Sequence, residues 1–527
     1  MSTSLLEIVG PIMVGPSSSH TAGMARIGMI AHLIAGFSPV RLTLQLSPTL
    51  RTTYHGHRSD AALVGGVLGW MPNDPRLRDA LSIARDQGVD IKVAFLPSDV
   101  FHPNTVQLEM AAGNGEQVSV RGVSVGGGSI VIEAVDDCNL LIDPNYRHVV
   151  IWGDGADSAV SVFRQIYERN FATAKYPDII VQGRNDLRIV SFIPEIGEEI
   201  TKALRSVQGV KRVSLVPPVL AYGATISDEQ KYGNCEELAA ACRKEGISLA
   251  ELAQRYEENR SGHERKLIRE LMTEQLAVMR ESARYGLNEE NRMLYGLTSG
   301  EDGKRMLKQS ENSISGGIVP VAVAKALAVM EYNASMGCIV AAPTAGSAGI
   351  VPGCMLTLQE AYHFTDDEIV DALFVSSILG VVMAHRDISF SGSVGGCQGE
   401  VGVSSAIAAA GIASLFSNDP EVPLQAMAMC VKNMLGLVCD PIAGPIEVPC
   451  IKRNAAGVAN AFISAEMACA GITSFLPPDQ VLDALLDVER RLPGELRCTT
   501  TGGLACAKKA VCLRAQLQKE LDEMEKG

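Results

Sequence analysis

Aromatic side chains are scarce in this chain: they make up 5 % of its 527 residues, with only two tryptophans. A core without large rings has to be filled by aliphatic and small residues, and 50 glycines point to close packing of helices and backbone. An excess of positive charge is also missing. The 46 lysines and arginines are outnumbered by 60 aspartates and glutamates, for a net charge of −14. That argues against a nucleic-acid partner, which requires a basic face. The opening stretch, MSTSLLEIVGPIMVG, lacks the basic segment that starts a secretory signal, so a cytoplasmic protein with reduced thiols is expected. In that setting the 13 cysteines point to metal or cluster ligation ahead of disulfides. The uncharged run from Tyr332 to Gln359 has the length of a membrane span, but Pro343, Pro352 and several glycines interrupt it. It reads as buried helix and loop, with no membrane partner. No short-period repeat and no low-complexity tract is present.

Four regions can be told apart. The first, residues 1–144, carries the β-rich stretches VRLTLQL, IKVAFL and SIVIEAV, with helical pieces such as AALVGGVLGW between them. This pattern reads as an α/β domain. In the second, 145–217, HVVIWGD reads as a strand and SAVSVFRQIYERN as an amphipathic helix. PDIIVQG and LRIVSFIP follow as strands, EEITKALRSV as a helix ending at Gly209, and KRVSLVPP as a last strand. The βαββαβ order is that of a ferredoxin-like unit and resembles an ACT domain, a small regulatory module that binds amino acids. The loop GDGADS lacks the Pro-Gly pair usual after the first strand. Ligand binding and a purely structural or dimerising role are therefore both open.

Residues 218–312 form a helical connector. Ser248 and Glu251 make a capping box ahead of Leu249, Leu252, Ala253 and Tyr256, and HERKLIRELMTEQLAVMRES reads as a helix with a solvated charged face. The fourth region, 313–527, is apolar, rich in small residues and mostly α-helical. There Thr365 and Glu368 cap DDEIVDALFVSSILGVVMA.

Several short stretches carry chemistry. GPSSSHT, at 15–21, sets hydroxyls and an imidazole beside helix breakers, a loop with many donors for a carboxylate or phosphate, or else a plain turn. HGHRSD, at 55–60, places His55 and His57 two apart, and FHPNT adds His102; histidines so spaced can ligate zinc or serve as satisfied structural groups. The glycines at 126–128 allow close backbone approach, but lack the strand–GxGxxG–helix setting of a dinucleotide fold. Three cysteines share a setting. Cys397 in SGSVGGCQGEVG, Cys439 in GLVCDPIAGP and Cys450 in EVPCIKRN are flanked by glycine and proline, which puts each thiol on a loop or helix end. Cys338, Cys354, Cys430 and Cys469 lie in apolar stretches and read as inert core thiols. Three loop thiols match a cluster with one iron left free of protein ligands, able to act as a Lewis acid. By spacing alone, a structural zinc or no metal at all is equally admissible.

Taken in order, GPSSSHTAG, the histidine of HGHRSD, HPNT and SVGGG resemble the β part of the iron–sulfur L-serine dehydratases. NASMG, APTAGSAGI, SGSVGGCQGEVG and CDPIAGPIEVPC resemble the α part, and the cysteine spacing from 397 to 439 to 450 agrees as well. The resemblance implies a [4Fe–4S] cluster on Cys397, Cys439 and Cys450, with an open iron for the serine hydroxyl, much as aconitase dehydrates citrate. It implies His57 as the base for the α-proton, with Lys304 (in LTSGEDGK) and His20 as rivals. Ser17, Ser19, His102, Asn104, Thr344 and Ser347 are the implied substrate-binding groups. L-Serine would yield pyruvate and ammonia, without pyridoxal phosphate, in a homodimer. A cysteine desulfidase and a non-catalytic amino-acid sensor are alternatives. Two departures stand out. Arg58 occupies a position where relatives often carry glycine, and the chain continues past GGLA at 502–505 to Gly527, where some relatives end in a cysteine. Leu513, Leu517 and Leu521 read as one face of an amphipathic helix, so Cys506 and Cys512 are expected to pack and not to plug the open iron.

Overall fold

The computed structural model describes residues 3–97, 102–171, 178–219, 225–226, 232–443 and 446–524; Phe101 of FHPNT and Gly444–Pro445 lie outside that set. Its glycines mark close helix crossings. Helices Gly23–Ala35 and Ser59–Val67 pack with their backbones almost touching. A Cβ on Gly66 would lie 2.1 Å from the Ala25 carbonyl oxygen, and one on Gly28 2.4 Å from that of Leu63, so only glycine permits the approach. The first of these helices lies on a six-stranded sheet in the order Asp90–Phe95, Arg41–Leu46, Thr105–Ala111, Gln117–Gly126, Ser129–Val135, Cys138–Ile142. Arg41–Leu46 runs parallel to Asp90–Phe95, and the other neighbouring pairs are antiparallel. Side chains alternate across each strand, so Leu42, Leu44, Leu46, Val106, Leu108 and Met110 share one core with Ile27, Ile30 and Ile34 of the helix.

The middle stretch forms a second, four-stranded antiparallel sheet, ordered Arg212–Val216, Arg147–Trp152, Leu187–Phe192, Ile180–Arg184. Helices Ala156–Phe171 and Glu198–Arg205 cover one face. Val149, Ile151, Val190 and Val213 join Phe163 and Phe192 in a core of their own, the two rings 5.1 Å apart. The opposite face is buried too: Val150, Leu187, Ile189 and Val216 belong to the core of the first sheet. This double burial explains why HVVIW is apolar without alternation. At the junction His148 is 1 % exposed. Its Nε2 lies 2.8 Å from the Asp143 carbonyl oxygen and its Nδ1 2.8 Å from Ser191 Oγ. Burial pushes its pKa down to about 4, so the neutral ring donates through Nε2 and accepts through Nδ1.

The remaining chain is mostly helical. Helix Val403–Phe416 is buried from Val403 to Ala413 and packs against Asp366–His385, Glu421–Lys432 and Cys450–Cys469. Two helical stretches, Asp366–His385 and Gly392–Phe416, are long and apolar enough to span a membrane, and 78 % of each apolar window is buried inside the protein. The Thr365 capping box is complete, whereas at Ser248 only half forms: Glu251 turns to Arg255 at 2.7 Å and Arg265 at 2.8 Å. The charged helix Arg265–Asn288 is less solvated than its sequence implies, because Arg269 reaches Asp367 at 2.8 Å and Asp371 at 2.6 Å on the neighbouring helix. The opening residues also belong to this helical part. Ile12–Val14 pairs with Cys338–Val340, and Leu5, Leu6 and Ile8 lie in the helical core.

Candidate active site

The tight helix crossing fixes two histidines side by side. Ser17 caps the turn Ser18–Ala22, its Oγ accepting from His20 N at 3.1 Å and lying 3.2 Å from His20 Nδ1. The turn leads directly into helix Gly23–Ala35. His57 lies in the turn before helix Ser59–Val67, and its carbonyl accepts from Thr21 Oγ1 at 2.8 Å. The His20 and His57 rings are 4.5 Å apart, with His57 fully buried and His20 6 % exposed. Burial pushes the His20 pKa down to about 4, against a hydrogen bond with Asn104 that works upward, so His20 is a neutral imidazole near pH 7. Arg58 occupies the left-handed region at φ 57°, and its Nη2 turns outward to the Arg78 carbonyl. A glycine takes that backbone conformation without strain.

The thiols arrive from the helical part. Cys397 ends helix Gly392–Cys397, Cys450 begins helix Cys450–Cys469, and Cys439 lies in the segment between. Arg453 organises them: Nη1 donates to Cys397 Sγ at 3.3 Å and to the Val438 carbonyl at 2.8 Å, while Nη2 donates to Asp440 at 2.8 Å. Asp440 also accepts from Leu504 N at 2.8 Å, so the GGLA segment is docked behind Cys439. Cys439 N donates to the Leu496 carbonyl and Cys498 N to the Cys439 carbonyl, at 2.9 and 2.8 Å. This places a fourth thiol, Cys498, on the same wall.

His20, His57, Ser17 and Ser19 meet Gly346, Ser391, Ser393, Glu400, Cys439, Cys450 and Cys498 around one narrow cavity of about 20 Å³. That is room for a water. The donor set fits a soft metal group. Ligand atoms of Cys397, Glu400 and Cys439 lie within 4.8 Å of one another. All three loop thiols are held well above their ordinary pKa. For Cys397 the hydrogen bond with Cys439 and burial do this, and for Cys450 burial does. At Cys439 the bond from Cys397 works downward, but Cys498 and burial outweigh it. A cation between them would reverse that balance and hold them as thiolates. Glu400 is pushed up to about 7 by burial, against Thr344 and Arg453.

The other sequence-derived candidates fall into two groups. Asn104 stands behind His20, its amide donating to the Ser124 carbonyl at 3.2 Å, and His102 accepts from Asn104 N at 3.2 Å. Thr344 and Ser347 hydroxyls pair at 2.9 Å behind Glu400. Lys304 stands apart: it does not line the cavity, and its ammonium donates to the Glu289 carbonyl at 2.6 Å. His55 also points away, onto Asp60 at 3.0 Å. Cys469, Cys506 and Cys512 are exposed. Cys469 is therefore no core thiol, and Cys506 and Cys512 do not pack as expected: Cys506 ends the turn Gly503–Cys506 and Cys512 lies in the first half of helix Lys508–Met524, both with exposed side chains. Sequence reasoning missed Ser391, Ser393, Glu400, Arg453 and Cys498. Glu400 stands three residues past Cys397, one helical turn on, which was the available signal.

Comparison with known proteins covers both halves of this site. The family model for the serine dehydratase beta chain matches residues 4–135, and that for the serine dehydratase alpha chain matches 244–505. The probable L-serine dehydratase alpha chain of Bacillus subtilis is 42 % identical over 275 residues, covering 52 % of this chain and 91 % of that one. Its probable beta chain is 36 % identical over 148 residues, covering 28 % and 67 %. L-Serine dehydratase 1 of Escherichia coli is 27 % identical over 526 residues, covering 93 % of this chain and 96 % of its own.

Proposed function

This chain belongs to the serine dehydratase family, with the alpha and beta parts fused, and on that premise we propose that it eliminates water from L-serine in the cavity between His20, His57 and the loop cysteines, giving pyruvate and ammonia. One observation carries the reading. Residues 17–57 and 391–498, matched by different family models, line a single cavity. Cys397, Cys439 and Cys450 would hold a [4Fe–4S] cluster, which when bound supplies a Lewis acid for the departing hydroxyl.

The side chains account for the rest. Ser17 and Ser19, on the turn before helix Gly23–Ala35, offer hydroxyls to the substrate carboxylate. His57 takes the α-proton on a ring nitrogen, a role that contributes about 10²–10⁴-fold when the base is positioned. His20, neutral and held by Ser17 and Asn104, orients the amine and keeps the His57 ring in place. Asn104 and His102 fix His20 from behind, and Thr344 with Ser347 fixes Glu400. Lys304 is left with a structural role. The parts act as an α/β domain over 1–144, an ACT-like module over 145–217, a helical connector over 218–312 and a catalytic helical domain over 313–527, in a cytoplasmic homodimer.

The test is anaerobic purification with iron and sulfide analysis and an assay for pyruvate. About four irons and four sulfides per chain, and pyruvate from L-serine, are expected. Serine in place of Cys397, Cys439 or Cys450 should remove the iron. An active, iron-free protein with stoichiometric zinc would overturn the assignment.

A further inference from the structure

Met293 and Leu294 are neighbours in the chain, yet Met293 packs on the helical core and Leu294 on the core of the first sheet. Residues 291–300 thus straddle the seam across which the histidines face the thiols. Asn291 pins this stretch, its amide donating to the Gly286 carbonyl at 2.9 Å and to the Gly300 carbonyl at 3.0 Å. Within it, Gly296 at φ 65° lets the amides on either side converge. They converge on Glu447, which is 2 % exposed. Tyr295 N donates to Oε1 at 2.8 Å, and Leu297 N and Thr298 N donate to Oε2 at 2.7 and 3.3 Å. The Glu447 carbonyl accepts from Ile451 N at 3.3 Å, in the first turn of the helix that Cys450 begins. On the other side the Tyr295 hydroxyl donates to the His55 carbonyl at 2.8 Å. That carbonyl also accepts from Arg58 N at 3.0 Å and so closes the turn on which His57 sits. One path of hydrogen bonds runs from the Cys450 helix through Glu447 and Tyr295 to the His57 turn.

We propose that Glu447 and Tyr295 are positioning residues, a clasp that sets the His57 ring against the cysteine-bearing loop. Neither side chain lines the cavity; each acts through the segments it ties. A buried carboxylate with three amide donors makes strong, charge-assisted bonds, whereas the Tyr295–His55 bond is a single neutral one. The clasp is therefore firm at its thiol end and weaker at its histidine end. A misplacement of about 1 Å at a reacting group can cost about 10²-fold in rate, so a loosened His57 turn shows in turnover before it shows in the fold. The part of the clasp in catalysis rests on the proposed serine reaction, while its hold on His57 does not.

Two variants of the anaerobic holoenzyme test the clasp. Tyr295→Phe removes only the hydroxyl, and Glu447→Gln puts an NH2 where one oxygen accepted. Carbethoxylation by diethyl pyrocarbonate, mapped by peptide mass spectrometry, reads the freedom of His57, with buried His148 as the control for general loosening. His57 should be labelled about fivefold to tenfold faster in both variants, the factor that one lost hydrogen bond supports, at an unchanged His148 rate. The double variant should be no faster than the faster single one, because the two bonds act in series. In steady-state assays kcat per bound iron should fall about tenfold or more with KM unchanged, and the isotope effect of α-deuterated serine should rise as proton removal slows. His57 labelling that stays at the wild-type rate, or that rises together with His148, overturns the proposal, as does an unchanged kcat in both variants. Failure of the wild type to release pyruvate would instead remove the serine reading and leave the labelling result to decide the clasp.

Discussion

The junction histidine gives a quantitative test of how the first two sheets are joined. His148 is buried and hydrogen-bonded through both ring nitrogens, and burial holds its pKa at about 4, below the ordinary 6.5 of the side chain. The folded state therefore resists protonation that the unfolded chain accepts from pH 6.5 downward. Between about pH 6.5 and 4 the unfolded state binds more protons, so stability rises with pH across that window. The contribution is fully present above pH 6.5 and is lost as pH falls to 4. A difference of about 2.5 pKa units at 1.36 kcal/mol each corresponds to about 3 kcal/mol in total, of which about 2 kcal/mol is gone by pH 5. His148→Gln, whose amide can still donate towards the Asp143 carbonyl, does not titrate. Urea midpoints of wild type and variant, measured at pH 7.5, 6, 5 and 4.5, should converge or cross on acidification as the wild type weakens relative to the variant. Taking the difference cancels every titration the two proteins share, the acid lability of a bound metal group included. A constant difference from pH 7.5 to 4.5 would refute the reasoning and mean that the ring is solvated or already charged in the folded protein.

Other outcomes follow from the same geometry. His57→Ala should lower kcat about 10²–10⁴-fold with metal content unchanged, measured by steady-state pyruvate release alongside iron analysis; near-normal turnover would transfer the base to His20. Arg58→Gly should stabilise the protein by up to about 1 kcal/mol in thermal or urea unfolding, because glycine occupies φ 57° freely; a loss of stability would show that the Arg78 contact matters more than the backbone. Gly66→Ala places a methyl 2.1 Å from the Ala25 carbonyl oxygen and should cost about 1–3 kcal/mol or more, with serine turnover falling as the helices carrying His20 and His57 separate. An unchanged melting temperature would contradict the crossing described. Cys506→Ser and Cys512→Ser should leave the iron spectrum of the resting protein untouched, since both thiols are exposed.

Local features were legible in the sequence, and those that depend on chain return were not. The Thr365 box is written in four adjacent residues and forms as read. Ser248 has the same signature, but Arg255 and Arg265 compete for Glu251, and no window of a few residues records that competition. All six elements between His148 and Val216 were visible as periodicity. What periodicity left out is that Val149 and Val150 serve different cores. In the site, glycine and proline around Cys397, Cys439 and Cys450 told that these thiols sit on helix ends or loops: Cys397 and Cys450 at helix ends, Cys439 in the loop between them. Cys498 went unseen because its place beside Cys439 comes from backbone pairing between distant segments. Lys304 shows the reverse case. Its local motif looks right, yet its helix is fixed by Glu331, which accepts from Asp302 N and Gly303 N at 2.6 and 3.1 Å, and the lysine is turned toward Glu289.

Because His20 and His57 reach the cavity from one end of the chain and the thiols from the other, the site exists only when the two parts meet. Two separate polypeptides would face a second-order encounter, and their activity per molecule would decline on dilution. Here the intervening residues make the encounter intramolecular, with an effective concentration of the order of millimolar for a flexible tether. The doubly buried middle sheet raises it further by docking onto the first core. Specific activity of this chain should therefore hold constant down to nanomolar enzyme, and a protease cut between the parts should leave it active when concentrated and progressively silent when diluted.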